Sequence, residues 1–321
     1  MADCLALASR LAGIVAGHAV ERGCDCILLS GGVDTSFVAL SVVLHGAGPL
    51  RGVLLLGGWE DYRHALSVAE RLGVRLSALK AGSLEYREAI DYALTALGIA
   101  DPVEVSGAAA VALGLAAARS LGCDCVLTGD GGDELFLGYT FLLDLDPQRL
   151  GEWRSRMAGG GAYFVVDDIA GLLGVRVCHP LYSPEARSLS LEAPLECLLG
   201  PGPGGGRYGK LMLRLYLDHH GLRDAAWRGK TPITEGSASL DALEELARGS
   251  RPLEGWEPSE AHAYLMHRLR GLGIPHPGPC RDEQRRCPVC GRCLEGSRCR
   301  FCGAYLEPGG GVSVYRGSPA R

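Results

Sequence analysis

The stretch Cys26-Ile27-Leu28-Leu29-Ser30-Gly31-Gly32-Val33-Asp34-Thr35-Ser36-Phe37-Val38-Ala39-Leu40-Ser41-Val42-Val43-Leu44 decides the fold. Residues 26–29 are a short apolar run that reads as a buried strand, and residues 37–44 read as a helix. Residues 30–36 are then a strand-to-helix turn. Its glycines let backbone approach a ligand closely. Its hydroxyls and free N–H groups lie where a helix dipole favours an anion. Asp34 would repel a bare phosphate, so carboxylate and phosphate fit together when Asp34 holds a Mg²⁺ that the phosphates share. The alternative is a plain glycine turn capped by Asp34. The turn lacks the Gly-Lys-Ser/Thr ending of a Walker loop.

Around this stretch, strands and helices alternate. Residues 3–20 read as a helix, with Leu7, Leu11, Ile14, Val15 and His18 on one face. That pattern is amphipathic rather than that of a signal peptide, which leads us to expect an intracellular, cytoplasmic protein. Residues 52–56, 74–79 and 125–128 read as further strands. Residues 61–72, 84–97 and 107–121 read as helices. The expectation is an α/β fold with a doubly wound parallel sheet and helical additions. In such sheets ligands sit beyond the carboxyl ends of the strands, near a topological switch.

The fourth strand runs into Thr128-Gly129-Asp130-Gly131-Gly132-Asp133-Glu134-Leu135-Phe136-Leu137-Gly138-Tyr139. Acids in a glycine-rich turn bind a bare anion poorly but hold a hard cation well. If the first and fourth strands are neighbours, Asp34 and Asp133 face one space, and nucleotide oxygens would complete a Mg²⁺ site. Here too, a glycine turn with acids at a helix start is the alternative.

Together these two loops resemble the PP-loop of the N-type ATP pyrophosphatases and, within that superfamily, the synthetase domain of asparagine synthetase. The resemblance continues in Val177-Cys178-His179-Pro180-Leu181-Tyr182-Ser183-Pro184-Glu185, in Lys210-Leu211-Met212-Leu213-Arg214 and in Ala226-Trp227-Arg228-Gly229-Lys230. It implies that Ser30, Gly31, Gly32, Asp34, Thr35 and Ser36 bind the pyrophosphate end of ATP, and that Gly57 and Gly129 lie near the nucleoside. It implies Asp34 and Asp133 as Mg²⁺ ligands, and Lys230 as the cation that steadies charge as pyrophosphate leaves. Of 32 basic residues only Lys80, Lys210 and Lys230 are lysines, which fits a chemical need for an ammonium at 230. Lys210 reads less clearly, since a helix acid would pair with it.

Departures from the family bear on the substrate. Asp130 stands where the family usually has Glu, at a position that would hold the acceptor. Ala2 and Asp3 stand where the family's glutaminase domain opens with a catalytic Cys, so we expect no such domain here. Ammonia, a separate glutaminase or another amine would supply the nucleophile. Lys230-Thr231-Pro232-Ile233-Thr234-Glu235-Gly236-Ser237 looks closer to the β-lactam-forming synthetases, which leaves aspartate unproven. The expectation is an ATP-dependent, AMP-forming, amide-forming ligase acting on a carboxylic acid. The alternative is a PP-loop tRNA-modifying enzyme. Its sulfur-transferring members use cysteines beside the nucleotide, and none lies between Ile27 and Gly122.

An apolar fraction of 47% is ample for a core, and a net charge of −5 gives no general pull toward nucleic acid or membrane. No stretch reads as long and apolar enough to span a bilayer. Six of thirteen cysteines fall between Cys280 and Cys302, which speaks for metal rather than a disulfide framework. Cys287, Cys290, Cys299 and Cys302 form two Cys-x-x-Cys-Gly knuckles, a zinc signal. Cys280 and Cys293 are left over, with Cys290/Cys293 as a competing pair. Cys24, Cys26, Cys123 and Cys125 would meet across neighbouring strands, and buried small residues are the preferred reading over a redox pair. The domain expectation is 1–250 for the nucleotide domain, 251–279 for a linker with one helix, and 280–321 for a zinc ribbon. Arginines 281, 285, 286, 292, 298 and 300 surround the ribbon, but zinc-bound thiolates offset them. RNA contact is kept as an alternative and not the favoured one; a structural module or subunit contact is set at least level with it, and a homo-oligomer is left open.

Overall fold

A computed structural model describes residues 3–307 and 309–317. Ala2 and residues 308 and 318–321 of the expected ribbon lie outside the described residues. Two compact units emerge. One comprises Met1–Leu79, Gly114–Asp167 and Gly174–Thr231; the other comprises Lys80–Leu113, Asp168–Leu173 and Pro232–Arg321.

The first unit holds a five-stranded parallel sheet. Its strands are β1 (Cys26–Leu28), β2 (Arg51–Leu55), β3 (Arg75–Leu79), β4 (Cys125–Leu127) and β5 (Arg176–Cys178). Their order is β3-β2-β1-β4-β5. The chain steps outward from β1 to β3, then returns to β4 on the other side. So β1 and β4 are neighbours, with Ile27 opposite both Gly52 and Leu127. This is the doubly wound α/β arrangement, and the turns after β1 and β4 flank its switch point.

Helices α1 (Cys4–Arg22), α2 (Val33–Leu44) and α3 (Trp59–Leu72) belong to this unit. Asp3 caps α1 by accepting from the Ala6 N–H, and Gly23 ends it in the left-handed region. α1 packs on α2, and both pack on the helix Leu211–His219. Phe37, Leu40, Ile27, Leu29 and Leu127 are buried in the core they share.

Two sequence expectations are corrected here. First, α1 and α5 (Pro102–Ser120) do reach the length and hydropathy of a membrane span. In α1 one face of that apolarity is spent on the core, with Ala8, Leu11, Ala12 and Val15 fully buried, while Leu5 and Val20 stay exposed. Second, the paired cysteines are more than buried small residues. Cys24 bonds to Cys125 and Cys26 to Cys123, because the parallel register sets the two starts side by side. Cys4 bonds to Cys197, and the leftover Cys280 bonds to Cys293. Disulfides persist in oxidising compartments and in the cytosol of hyperthermophiles, so these cysteines do not by themselves fix a compartment.

The second unit contains α4 (Ser83–Leu97), the opening turns of α5, the helices Ser239–Ala247 and Glu260–Gly271, and the cysteine-rich segment. Arg268 clamps Asp91 at 2.9 and 2.5 Å, a two-bonded pair joining the helix Glu260–Gly271 to α4.

Candidate active site and metal centre

The turn after β1 is shaped by its own hydroxyls. Ser30 Oγ lies 3.1 Å from Thr35 Oγ1 and accepts from the Gly32 N–H at 3.3 Å. Gly31 has φ 69°, and a Cβ there would strike the backbone of His64 and Ala65, so only glycine fits. α2 then starts without a side-chain cap, leaving its first N–H groups for another partner.

The turn after β4 closes on it through missing side chains. A Cβ at Gly129 would meet Asp34 and Thr35, and one at Gly132 would overlap the Asp34 carboxylate. Asp34, in the first turn of α2, and Asp133, in α6 (Gly132–Leu135), are thereby brought together. Lys210 Nζ lies between them, 2.5 Å from Asp34 Oδ2 and 2.8 Å from Asp133 Oδ1. Lys230 Nζ reaches Asp133 Oδ2 at 3.0 Å and lies 4.5 Å from the Tyr139 ring centre. Two carboxylates and two ammoniums therefore form one cluster.

Charge in this cluster is interdependent. Burial opposes the charge on Asp34 and, with repulsion from Asp133, lifts its carboxyl above the ordinary range despite Lys210. Burial works against Asp133 too, but Lys210 and Lys230 outweigh it and hold that carboxyl below the usual range. Lys210 loses solvation yet gains two carboxylates, which keep its pKa above that of a free lysine.

Lys210 was ambiguous in the sequence and proves central. Its side chain is 6% exposed, against 39% for Lys230. It adopts φ 56°, and Leu137 beside it adopts φ 59°, two of three non-glycine residues in the left-handed region among those described. The Lys210 N–H donates to the Phe136 carbonyl at 2.8 Å, locking these strained positions together.

Two arginines that sequence reasoning left without a role hold the lysines in place. Arg214 is buried one turn along the helix Leu211–His219. It donates to the carbonyls of Gly209 at 2.9 Å, Ala226 at 2.7 Å and Arg228 at 3.2 Å. It thus ties the segment bearing Lys230 to the one bearing Lys210. Arg228 pairs with Asp61 and donates to the Ser30 carbonyl at 3.1 Å. The available signal was an arginine inside an apolar helical run, Leu211 to Leu217.

Asp130 faces elsewhere. His179, just after β5, has Nδ1 2.8 Å from Thr128 Oγ1 and 3.3 Å from Asp130 Oδ2. Its Nε2 lies 3.0 Å from Asp167 Oδ1. Burial lowers its pKa, but the carboxylates of Asp130 and Asp167 more than offset that and hold it above the ordinary value. Of the other expected residues, Gly57 is exposed past the end of β2. Ser36 is fully buried, and its hydroxyl has no hydrogen-bond partner among the described residues.

The acid pair fits a hard cation. Asp34 Oδ1 is buried with no hydrogen-bond donor among the described residues, and such an oxygen is a ready ligand. In the second unit, the Sγ atoms of Cys287, Cys290, Cys299 and Cys302 lie within 4.8 Å of one another and all four residues are buried. Cys287 Sγ is 3.7 Å from Cys302 Sγ, and Cys290 Sγ is 3.5 Å from Cys299 Sγ. Four sulfurs at about 2.3 Å from one zinc would stand about 3.8 Å apart, so this cluster could hold zinc. Four tail arginines spend donors within that unit: Arg285 on Leu294, Arg286 on Cys280, Arg292 on Glu254 and Arg298 on Asp101.

The family model described as asparagine synthase matches residues 6–202. The chain belongs to that family. Membership supports an ATP-utilising enzyme of ligase or amidotransferase type. Among solved structures, the chain is similar to NMN synthetase from Francisella tularensis at 14% identity, covering 64% of this chain and 100% of that one with a TM-score of 0.33. A likeness that low carries no argument here. No curated protein matches the sequence.

Proposed function

We propose that the chain is an ATP-dependent ligase of the asparagine synthetase type. It adenylates a carboxylic acid with release of pyrophosphate, and ammonia or another amine then displaces AMP to form an amide. The observation that carries this is the convergence of Asp34, Asp133, Lys210 and Lys230 where β1 and β4 end.

The Ser30–Ser36 turn and the uncapped start of α2 offer N–H groups to the triphosphate. Asp34 and Asp133 are the residues that would hold Mg²⁺, which when bound supplies positive charge to the phosphate oxygens. Lys230, half-exposed beside the acid pair, steadies charge that grows on the departing pyrophosphate. To Asp130, whose carboxylate faces His179 and not the lysine cluster, we assign the holding of the acceptor acid, as the family position suggests. Aspartate is one candidate acid. A separate glutaminase is one candidate source of the amine. We assign residues 1–250 to the nucleotide domain, 251–279 to a linker and 280–321 to a structural zinc module, with RNA contact disfavoured.

The test is ATP–pyrophosphate exchange across a panel of carboxylic acids, aspartate first, with AMP release measured with and without ammonium. Exchange that depends on one acid supports the reading. Formation of ADP, or AMP release indifferent to every acid and amine, removes it.

A further inference from the structure

We infer that Lys210 is the resident cation of the Asp34–Asp133 pair, so that a divalent ion enters this site only together with a polyphosphate. The inference rests on the nucleotide site proposed above but concerns what the protein does before nucleotide arrives.

The geometry is specific. Lys210 Nζ contacts one oxygen of each carboxylate, at 2.5 and 2.8 Å, from a side chain 6% exposed. The position is built rather than incidental. The lysine is held at φ 56°, and Gly138 has no Cβ where the lysine's Cε and Nζ run. A surface lysine that happened to swing inward would need neither device.

Charge decides the order of binding. Without nucleotide, two carboxylates face two ammoniums, and the buried Arg214 adds positive charge close by. A divalent ion entering alone would place its two charges beside Lys210 in a site whose carboxylates are already fully offset by positive charge, at the cost of burying uncompensated charge. A metal–triphosphate brings net negative charge. Its oxygens accept from Lys210 and Lys230 and release carboxylate oxygens to the metal. Asp34 Oδ1, which no donor among the described residues satisfies, is one oxygen open to it.

The experiment titrates Mn²⁺ into full-length, zinc-loaded protein without nucleotide and follows the free Mn²⁺ signal by electron paramagnetic resonance. Wild-type protein is expected to show no binding that Asp34→Asn abolishes. Lys210→Met is expected to bind Mn²⁺ at least about tenfold tighter, in a manner that Asp34→Asn reverses. Lys210→Gln, which keeps amide donors for both carboxylates, serves if the Met variant does not fold. Nucleotide-free binding by wild-type protein that Asp34→Asn abolishes overturns the inference. So does the lack of any gain in both lysine variants. A parallel titration with ATP judges the nucleotide reading separately: failure there, with the nucleotide-free results intact, strikes the proposed substrate and leaves the role of Lys210 standing.

Discussion

Gly138 lies so close to Lys210 that a Cβ at 138 would occupy the space of the lysine's Cε. The same Cβ would press on Asp133 Oδ1. The glycine is required by what passes it and not by its own backbone, since it is absent from the residues with positive φ. Gly138→Ala should therefore destabilise the protein by about 1–3 kcal/mol through overpacking, read from chemical denaturation. An unchanged midpoint would mean Lys210 has another place to go.

Lys230 should separate catalysis from stability. Its side chain is 39% exposed, so Lys230→Ala should shift stability by no more than about 0.5 kcal/mol. Loss of a donor aimed at developing charge costs about 3–4 kcal/mol, so pyrophosphate exchange should fall by about 10²–10³. Equal losses in both measurements would make it a structural residue.

His179 sets a pH dependence whose sign follows from its raised pKa. The folded protein holds the imidazolium between Asp130 and Asp167 better than the unfolded chain does. That stability is fully present below the unfolded value of about 6.5 and is lost as pH rises through the folded pKa. Denaturation curves between pH 5.5 and 8.5 should show this decline in wild-type protein and not in His179→Gln. Parallel curves for the two would contradict the assignment.

The β1–β4 sulfur pairs should appear in a non-reducing peptide map as Cys24–Cys125 and Cys26–Cys123. Replacing Cys26 and Cys123 together by Ala should cost about 2–5 kcal/mol. Quantitative alkylation of all four thiols in native, unreduced protein would exclude the pairing.

The cysteine quartet should carry one zinc per chain, and Cys290→Ser should lose it along with part of the thermal stability. Metal content by atomic absorption decides this, and an unchanged zinc content in that variant would refute the ligand set.

Much of this fold was legible because apolar runs such as Ile27–Leu29 end in glycine turns, and helical faces such as that of α1 repeat cleanly. The neighbouring of β1 and β4, on which the acid pair depends, was only a condition in the sequence reading, because strand order across a sheet leaves no mark in a single chain; the parallel pairing of the two strands meets it. β5 was missed because Arg176-Val177-Cys178 offers a single aliphatic residue between a charge and a thiol. Lys210 and Arg214 were underread for another reason: their importance lies in partners 176 and 12 residues away, which periodicity cannot see. The cysteine pairs failed on prior odds, since a small buried thiol and half a crosslink look alike in one dimension.

The chain thus sorts its sulfur two ways. Cys293 is covalently joined to Cys280, while Cys290, three positions earlier, stays a thiol facing Cys299. Before the segment folds, an oxidant alone has no means to tell these neighbours apart. A soft cation seated early in maturation would act as a protecting group, shielding four sulfurs while the rest couple. Refolding with chelator present should then yield scrambled isomers, and the sequence of loading and oxidation becomes part of how this molecule is made.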